Sequence, residues 1–213
     1  MFTTISLAII FVISISLHEY AHAWASDKLG DPTPKLQGRL TPNPLVHIDL
    51  IGFLMIFIIN FWRGRPVIIN PAYYKNVRRD ELLVALAWPA TNLLLACAGI
   101  IIAQAYIRLW GISVLDFSQD IVFKFRQLFS WLNISLAIFN LLPFPPLDGY
   151  RIVSYLVPWF AELIERYGMY MSIAVLLILI TPNPISNGIS TLISTVAQFL
   201  FWLLRAFRGI IFL

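Results

Sequence analysis

The sequence predicts an all-α polytopic membrane protein, with about five transmembrane helices and a re-entrant or interfacial segment after the first of them. Three observations predict it. Hydrophobic residues make up 59% of the 213 residues and charged residues 12%, well under the roughly one quarter charged that is usual in soluble domains, and the mean hydropathy is +0.79. Apolar runs recur along the chain at lengths near the roughly twenty residues that cross a bilayer as a helix. The basic residues between those runs select one topology.

The first run, residues 2–17, has no basic residue ahead of it and leads straight into a polar motif, so it is expected to be a retained helix and not a cleaved signal peptide. Further runs lie at 48–61, 82–109, 121–142, 167–180 and 189–207. The run at 48–61 is short and is bracketed by Pro42, Pro44, Arg63 and Arg65. It fits a re-entrant or interfacial segment better than a crossing. If it does not cross, twelve of the fifteen Lys and Arg residues share one side and only Arg108, Lys124 and Arg126 face the other. Making it a full span moves nine of the fifteen to the nominal outside, which the positive-inside rule disfavours. The preferred topology has five crossings with the N-terminus outside. Thr181-Pro182-Asn183-Pro184 makes a tight link between the last two, which carry no acid or histidine and are expected to pack around the core and gate lateral entry.

The chemistry begins at His18-Glu19-Tyr20-Ala21-His22, an H-E-x-x-H motif inside the first apolar helix. Four residues apart on a helix, the two imidazoles share a face and reach one metal ion, with Glu19 beside them. Ionisable groups are costly in hydrocarbon, so such a cluster marks a functional site. The single cysteine, Cys97, excludes an intrachain disulfide and a C-x-x-C metal pair. A metal is therefore held by His, Asp or Glu. The net charge of +4 reads as membrane orientation, and no nucleic-acid partner is expected.

A third ligand has to arrive at the same depth from another helix. Asn140-Leu141-Leu142-Pro143-Phe144-Pro145-Pro146-Leu147-Asp148-Gly149 supplies the candidate. Its prolines cannot continue a helix, so the span from Ile121 is expected to end near Leu142 and turn through a rigid stretch. Gly149 permits a close backbone approach beside Asp148. In the preferred topology Asp148 emerges on the same face as His18 and His22. The alternative for Asp148 is a helix N-cap beyond the turn.

The two motifs together resemble the site-2 proteases, a family of intramembrane zinc metalloproteases. The resemblance covers roughly residues 7–155. It extends through Gly38-Arg39-Leu40-Thr41 and Pro42-Asn43-Pro44, similar to the family's membrane-associated hairpin region, and through Pro89 and Asn92 on the next helix. It implies one Zn2+ per chain held by His18, His22 and Asp148, Glu19 as the catalytic acid and base, and substrate contacts from Asn140. For Asn92 a structural hydrogen bond between helices is an equal expectation. Trp88-Pro89 stands where relatives commonly have Gly-Pro, and Tyr150 where a second glycine is common. Neither change removes a ligand. The implied organisation is a metalloprotease core at 1–160, with a re-entrant region at about 35–75 and helices at 81–109 and 121–142, followed by C-terminal helices at 161–213. A minimal member without a PDZ domain, in a prokaryotic plasma membrane with its site near the cytoplasmic face, is the resulting expectation.

Under that reading the substrate is a transmembrane protein, and the lipid bilayer is the other partner. A substrate helix has to unwind before its carbonyls can be attacked, and an exposed strand edge would hold it extended. Residues 36–41 and 67–70 are the candidate strands. His47, beside Asp49 in a loop, is expected to form a local hydrogen-bonded pair and is left out of the metal site. Trp62, Tyr73, Tyr74, Trp88, Trp110, Tyr155 and Trp159 read as interfacial anchors. The rival readings are a membrane metal transporter and a catalytically inactive scaffold that binds membrane helices. A transporter would line a path across the bilayer with ionisable groups, whereas these cluster at one face. A scaffold has no need of Glu19.

Overall fold

The computed structural model describes residues 2–49, 65–110, 121–145, 147–181 and 183–211. Among them the chain is helical, with no β-structure beyond an isolated bridge at Ile48. Five helices have 20 residues or more: α1 (Phe2–Lys28), α4 (Val77–Trp110), α5 (Ile121–Asn140), α7 (Pro158–Ile180) and α8 (Pro184–Ile211). Three short ones, α2 (Thr33–Leu36), α3 (Pro44–His47) and α6 (Asp148–Leu156), lie between them. Two stretches, Ile5–Lys28 and Val77–Tyr106, are long and apolar enough to cross a membrane. The described residues are thus mostly helical with two candidate membrane spans, consistent with an all-α membrane protein. The expected 48–61 segment lies almost entirely outside the described residues.

The polarity of α1 is reversed relative to a soluble helix. Ser6, Ile10, Ser14 and His18 succeed one another at four-residue intervals and are all buried, while Ile5, Ile9 and Ile13 on the next stripe are exposed. In water that arrangement would leave an apolar stripe uncovered. In lipid it is favourable, because small and polar residues let helices approach while branched apolar side chains meet acyl chains. The helix stops through glycine: Gly30 takes φ 107°, its N–H donates to the Asp27 carbonyl, and the Asp31 N–H donates to the Ser26 carbonyl. This is a Schellman ending, which requires a left-handed residue after the last turn. It delivers Asp31 next to α1, where the carboxylate accepts from the Ser26 hydroxyl at 2.9 Å and from the Asn70 N–H at 2.7 Å.

Helix α4 starts at a reciprocal cap. The Arg79 N–H donates to the Asn76 side chain and the Asn76 N–H donates to the Asp80 carboxylate, each at 3.1 Å, so two otherwise unmatched donors are satisfied. Pro89 lies inside this helix. It offers no N–H to the carbonyl of Ala85 and its ring crowds that turn. Helix α5 packs along α4, and α8 closes over both through a cluster of Ala96, Ile134, Ile138 and Ala197. A second cluster, Ala25, Tyr74 and Val84, ties α1 to α4 beside His22. The link before α8 is capped by Asn183, whose side-chain oxygen accepts from the N–H groups of Ile185 and Ser186 at 2.9 and 3.0 Å.

Several expectations change. Residues 36–41 are not a strand: Thr33–Leu36 is helical, and the chain turns at Gly38 with φ 68°. Residues 65–70 lie in no ladder, but their N–H groups alternate between partners, Val67 to Glu19 and Ile68 and Asn70 to Gln37 and Asp31, as in an extended chain. Ile48 and Arg65, which flank the stretch 50–64, sit side by side, since the Arg65 N–H donates to the His47 carbonyl at 3.0 Å.

Candidate metal centre

The site is built where α1, α4 and the start of α6 meet. His18 and His22 lie one turn apart on the inner face of α1, and their rings are 5.0 Å apart between centroids. Helix α5 ends at Asn140. The Pro143 to Pro145 turn then reverses the chain until α6 begins at Asp148. The N-cap position belongs to Leu147, which makes no side-chain cap, so Asp148 is the first helical residue and its carboxylate is free to reach α1. There its Oδ2 stands 3.1 Å from His22 Nε2. Ligand atoms of His18, His22 and Asp148 all lie within 4.8 Å of one another.

The hydrogen bonding around His22 sets its tautomer. Nδ1 is 3.1 Å from the Val84 carbonyl oxygen, an acceptor only, so Nδ1 carries the proton and donates. Nε2 of the neutral ring is then a bare lone pair facing the Asp148 carboxylate. In the neutral ring these two acceptors are bridged by a bound cation, the place a second ring proton takes when His22 is an imidazolium. The donor set suits zinc, which takes imidazole nitrogen and carboxylate oxygen with bonds of about 2.0–2.2 Å and so places tetrahedral ligand atoms roughly 3.3 Å apart. The buried Nδ1 of His18 has no hydrogen-bond partner among the described residues, an uncompensated polar atom that ligation of its ring would help to justify. The residues present fit the metal.

Val84 was not foreshadowed as a partner. No residue type signalled it, because the contact is made by a backbone carbonyl, and the oxygen that Pro89 frees is that of Ala85, one residue on. A carbonyl that orients a ligating imidazole is a recurrent outer-shell device. Trp88 also takes a different place from the interfacial one expected. It is only 3% exposed, its ring meets His18 edge-on and it stacks on His22 at 6.0 Å, so it walls the site from lipid and water. Tyr74 is buried too, its hydroxyl 2.7 Å from that of Ser26. Tyr73 and Trp159 are exposed, as anchors would be, while the structure around Trp62 lies outside the described residues.

Glu19 is 9% exposed. Its Oε1 is 3.5 Å from His18 Nε2, and its Oε2 accepts the Val67 N–H at 2.8 Å. No sequence signal singled out Val67, because the contact is made by backbone. Asn140 is 8% exposed, and its Nδ2 donates back to the Leu136 carbonyl of its own helix at 2.9 Å. Asn92 is fully buried, and neither of its amide atoms has a hydrogen-bond partner among the described residues. His47 stands apart from the three candidate ligands: its Nε2 is 2.8 Å from the Thr41 carbonyl oxygen, and its Nδ1 has no hydrogen-bond partner among the described residues, so the expected bonded pair with Asp49 is not made through that atom.

The comparisons with known proteins agree with this chemistry. The model of peptidase family M50 matches residues 111–180. The chain is 40% identical over 152 residues to the "Putative zinc metalloprotease YwhC" of Bacillus subtilis, covering 71% of this chain and 69% of that protein. It is 28% identical over 177 residues to the "Putative zinc metalloprotease Rip2" of Mycolicibacterium smegmatis, and 32% identical over 156 residues to the Rip2 of Mycobacterium tuberculosis strain Erdman. Those two matches cover 81% and 68% of this chain but only 65% and 54% of the relatives. No solved structure matches the chain at a significant level. The extent and identity of the first match, together with the family model over the Asp148 region, place the chain in peptidase family M50, the site-2 protease family of zinc metalloproteases.

Proposed function

We propose that the chain is an intramembrane endopeptidase that hydrolyses peptide bonds within or beside the transmembrane segments of other membrane proteins. The observation that carries this reading is the convergence of His18, His22 and Asp148 on the buried wall of an apolar helix, with Glu19 beside them. His18, His22 and Asp148 hold the metal in this reading. When bound, zinc supplies Lewis-acid activation, lowering the pKa of water toward neutrality and polarising the scissile carbonyl. Oε2 of Glu19 is occupied by the Val67 N–H, so Oε1 is the oxygen that takes the proton from the attacking water and returns it to the departing amine. Trp88 limits solvent around the histidines, which strengthens every electrostatic contact there.

A substrate helix has to give up some of its internal hydrogen bonds before a carbonyl can be reached. The extended segment 65–70 runs beside Glu19 and offers backbone groups to an unwound peptide. Asn140 and Asn92 are proposed as substrate contacts, and the unpartnered amide of Asn92 gives a substrate backbone a donor and an acceptor to meet. In this reading residues 1–160 form the catalytic core and 161–213 pack around it, in a five-crossing topology that puts the site near the cytoplasmic face of a plasma membrane.

The test is zinc content and cleavage of a panel of single-span peptides by detergent-purified protein. Wild type is expected to carry about one zinc per chain and to cut, Glu19→Gln to keep zinc and be inert, and Asp148→Ala to lose zinc. A wild type that binds zinc and leaves every peptide intact counts against the endopeptidase reading.

A further inference from the structure

The segment over the Glu19 carboxylate is held in place by side chains where a sheet would ordinarily do it. The Ile68 N–H donates to Gln37 Oε1 at 3.3 Å, and Gln37 Nε2 donates to the Ile68 carbonyl at 2.7 Å. One side-chain amide therefore engages both backbone groups of one residue, as a neighbouring strand does. Two residues on, the Asn70 N–H donates to Asp31 Oδ2 at 2.7 Å. Successive backbone groups of an extended chain point to opposite edges, so Gln37 and Asp31 hold one edge and the Val67 N–H on the other meets Glu19 Oε2 at 2.8 Å. Gln37 is itself fixed. Its Nε2 also donates to the Thr33 carbonyl at 3.1 Å, and it precedes Gly38, whose positive φ lets the Arg39 N–H close back on the Pro34 carbonyl at 2.9 Å.

We propose that Gln37 is a positioning residue for the peptidase reaction: by clamping both backbone groups of Ile68 it holds the Val67 N–H on Glu19 Oε2 and so leaves Oε1 aimed at the water. The inference rests on the role given to Glu19 above. The clamp is specific to an amide. Asparagine is one methylene too short, and glutamate sets an acceptor against the Ile68 carbonyl.

The experiment is a double-mutant cycle between Gln37→Ala and Val67→Pro, the latter removing the N–H that reaches Glu19. It is run on the full zinc-loaded chain in detergent with a single-span peptide that wild type cuts. Each single variant is expected to lower kcat about tenfold with KM within about twofold and zinc content unchanged, and the double variant to be no slower than the slower single, because both act through one contact. Hydrogen exchange supplies a readout independent of turnover: in Gln37→Ala the amides of 65–70 exchange at least tenfold faster while α1 stays protected. Additive losses of about a hundredfold, a wild-type kcat in Gln37→Ala, unchanged exchange at 65–70, or loss of zinc overturns the proposal. Glu19→Gln run alongside keeps the two readings apart. Survival of cleavage there sinks the role of Glu19, whereas an inert Glu19→Gln beside a fully active Gln37→Ala sinks only the clamp.

Discussion

Gly149 is the position at which a single methyl group tests the whole geometry of the metal centre. A Cβ at this residue would stand closer than 3.0 Å to the carbonyl oxygens of both Leu141 and Leu142. Ordinary contact begins at 3.4 Å, so relief needs at least 0.4 Å of movement. Both obstacles are backbone, and neither can rotate away. Gly149→Ala therefore lifts the start of α6 from the Pro143 turn, and Asp148, its immediate neighbour, moves with it. Metal sites hold their ligand distances within about ±0.2 Å, half the minimum shift. We expect zinc affinity to fall about 10- to 100-fold, the range seen when groups that orient metal ligands are disturbed. Cleavage should fall at least tenfold, given that about 1 Å of misplacement costs roughly a hundredfold. The assay is competition of wild type and variant against a chelator series, followed by metal analysis and peptide cleavage. Gly188→Ala is the control, since a Cβ there meets nothing within 4 Å. Wild-type zinc retention and cleavage in Gly149→Ala would refute the claim that close backbone packing at Gly149 sets the Asp148 ligand.

Two further predictions use other parts of the structure. Burial alone would raise the Asp31 carboxyl, but hydrogen bonds from Thr33, the Asn70 N–H and Ser26 hold it below its usual value. A lowered folded-state pKa stabilises the fold above the unfolded value of about 3.9 and is lost as pH falls through the folded one. The anchor of segment 65–70 should thus be intact from pH 7 to near 4 and loosen below it. Asp31→Asn should lose about 1–3 kcal/mol at pH 7 and most of that acid dependence; thermal midpoints of both proteins falling in parallel between pH 5 and 3 would contradict this. Asn92 is buried with both amide atoms unpartnered among the described residues, and such a group costs roughly 1–3 kcal/mol. Asn92→Ala is therefore expected to keep or raise the thermal midpoint while slowing cleavage about tenfold; a lowered midpoint with unchanged kcat would assign Asn92 to structure alone.

The parts of this protein legible in the sequence are those written in local spacing. H-E-x-x-H puts two imidazoles on one helical face by the 3.6-residue period alone, and the structure has His18 and His22 there. The prolines after Asn140 stop α5 wherever they are placed, because a ring without an N–H ends a helix in any environment. Asp148 was singled out by the proline turn and Gly149 around it, and its carboxylate is found beside His22.

What depended on the tertiary structure was every contact made by backbone and every choice between two uses of one side chain. Asp148 could equally have capped a helix; its carboxylate meets His22 instead because Leu147 takes the cap position and Gly149 lets the turn close. Trp88 reads as an interfacial anchor along the chain and becomes a wall of the site because Pro89 and the packing of α4 on α1 turn it inward. The Val84 carbonyl, the Val67 N–H and the Gln37 clamp left no mark in residue type, since a peptide group is the same at every position. The sequence determined which chemistry is possible. Long-range packing decided which atoms carry it, because distances between residues 62 or 126 apart in the chain are set by the fold and not by any local rule.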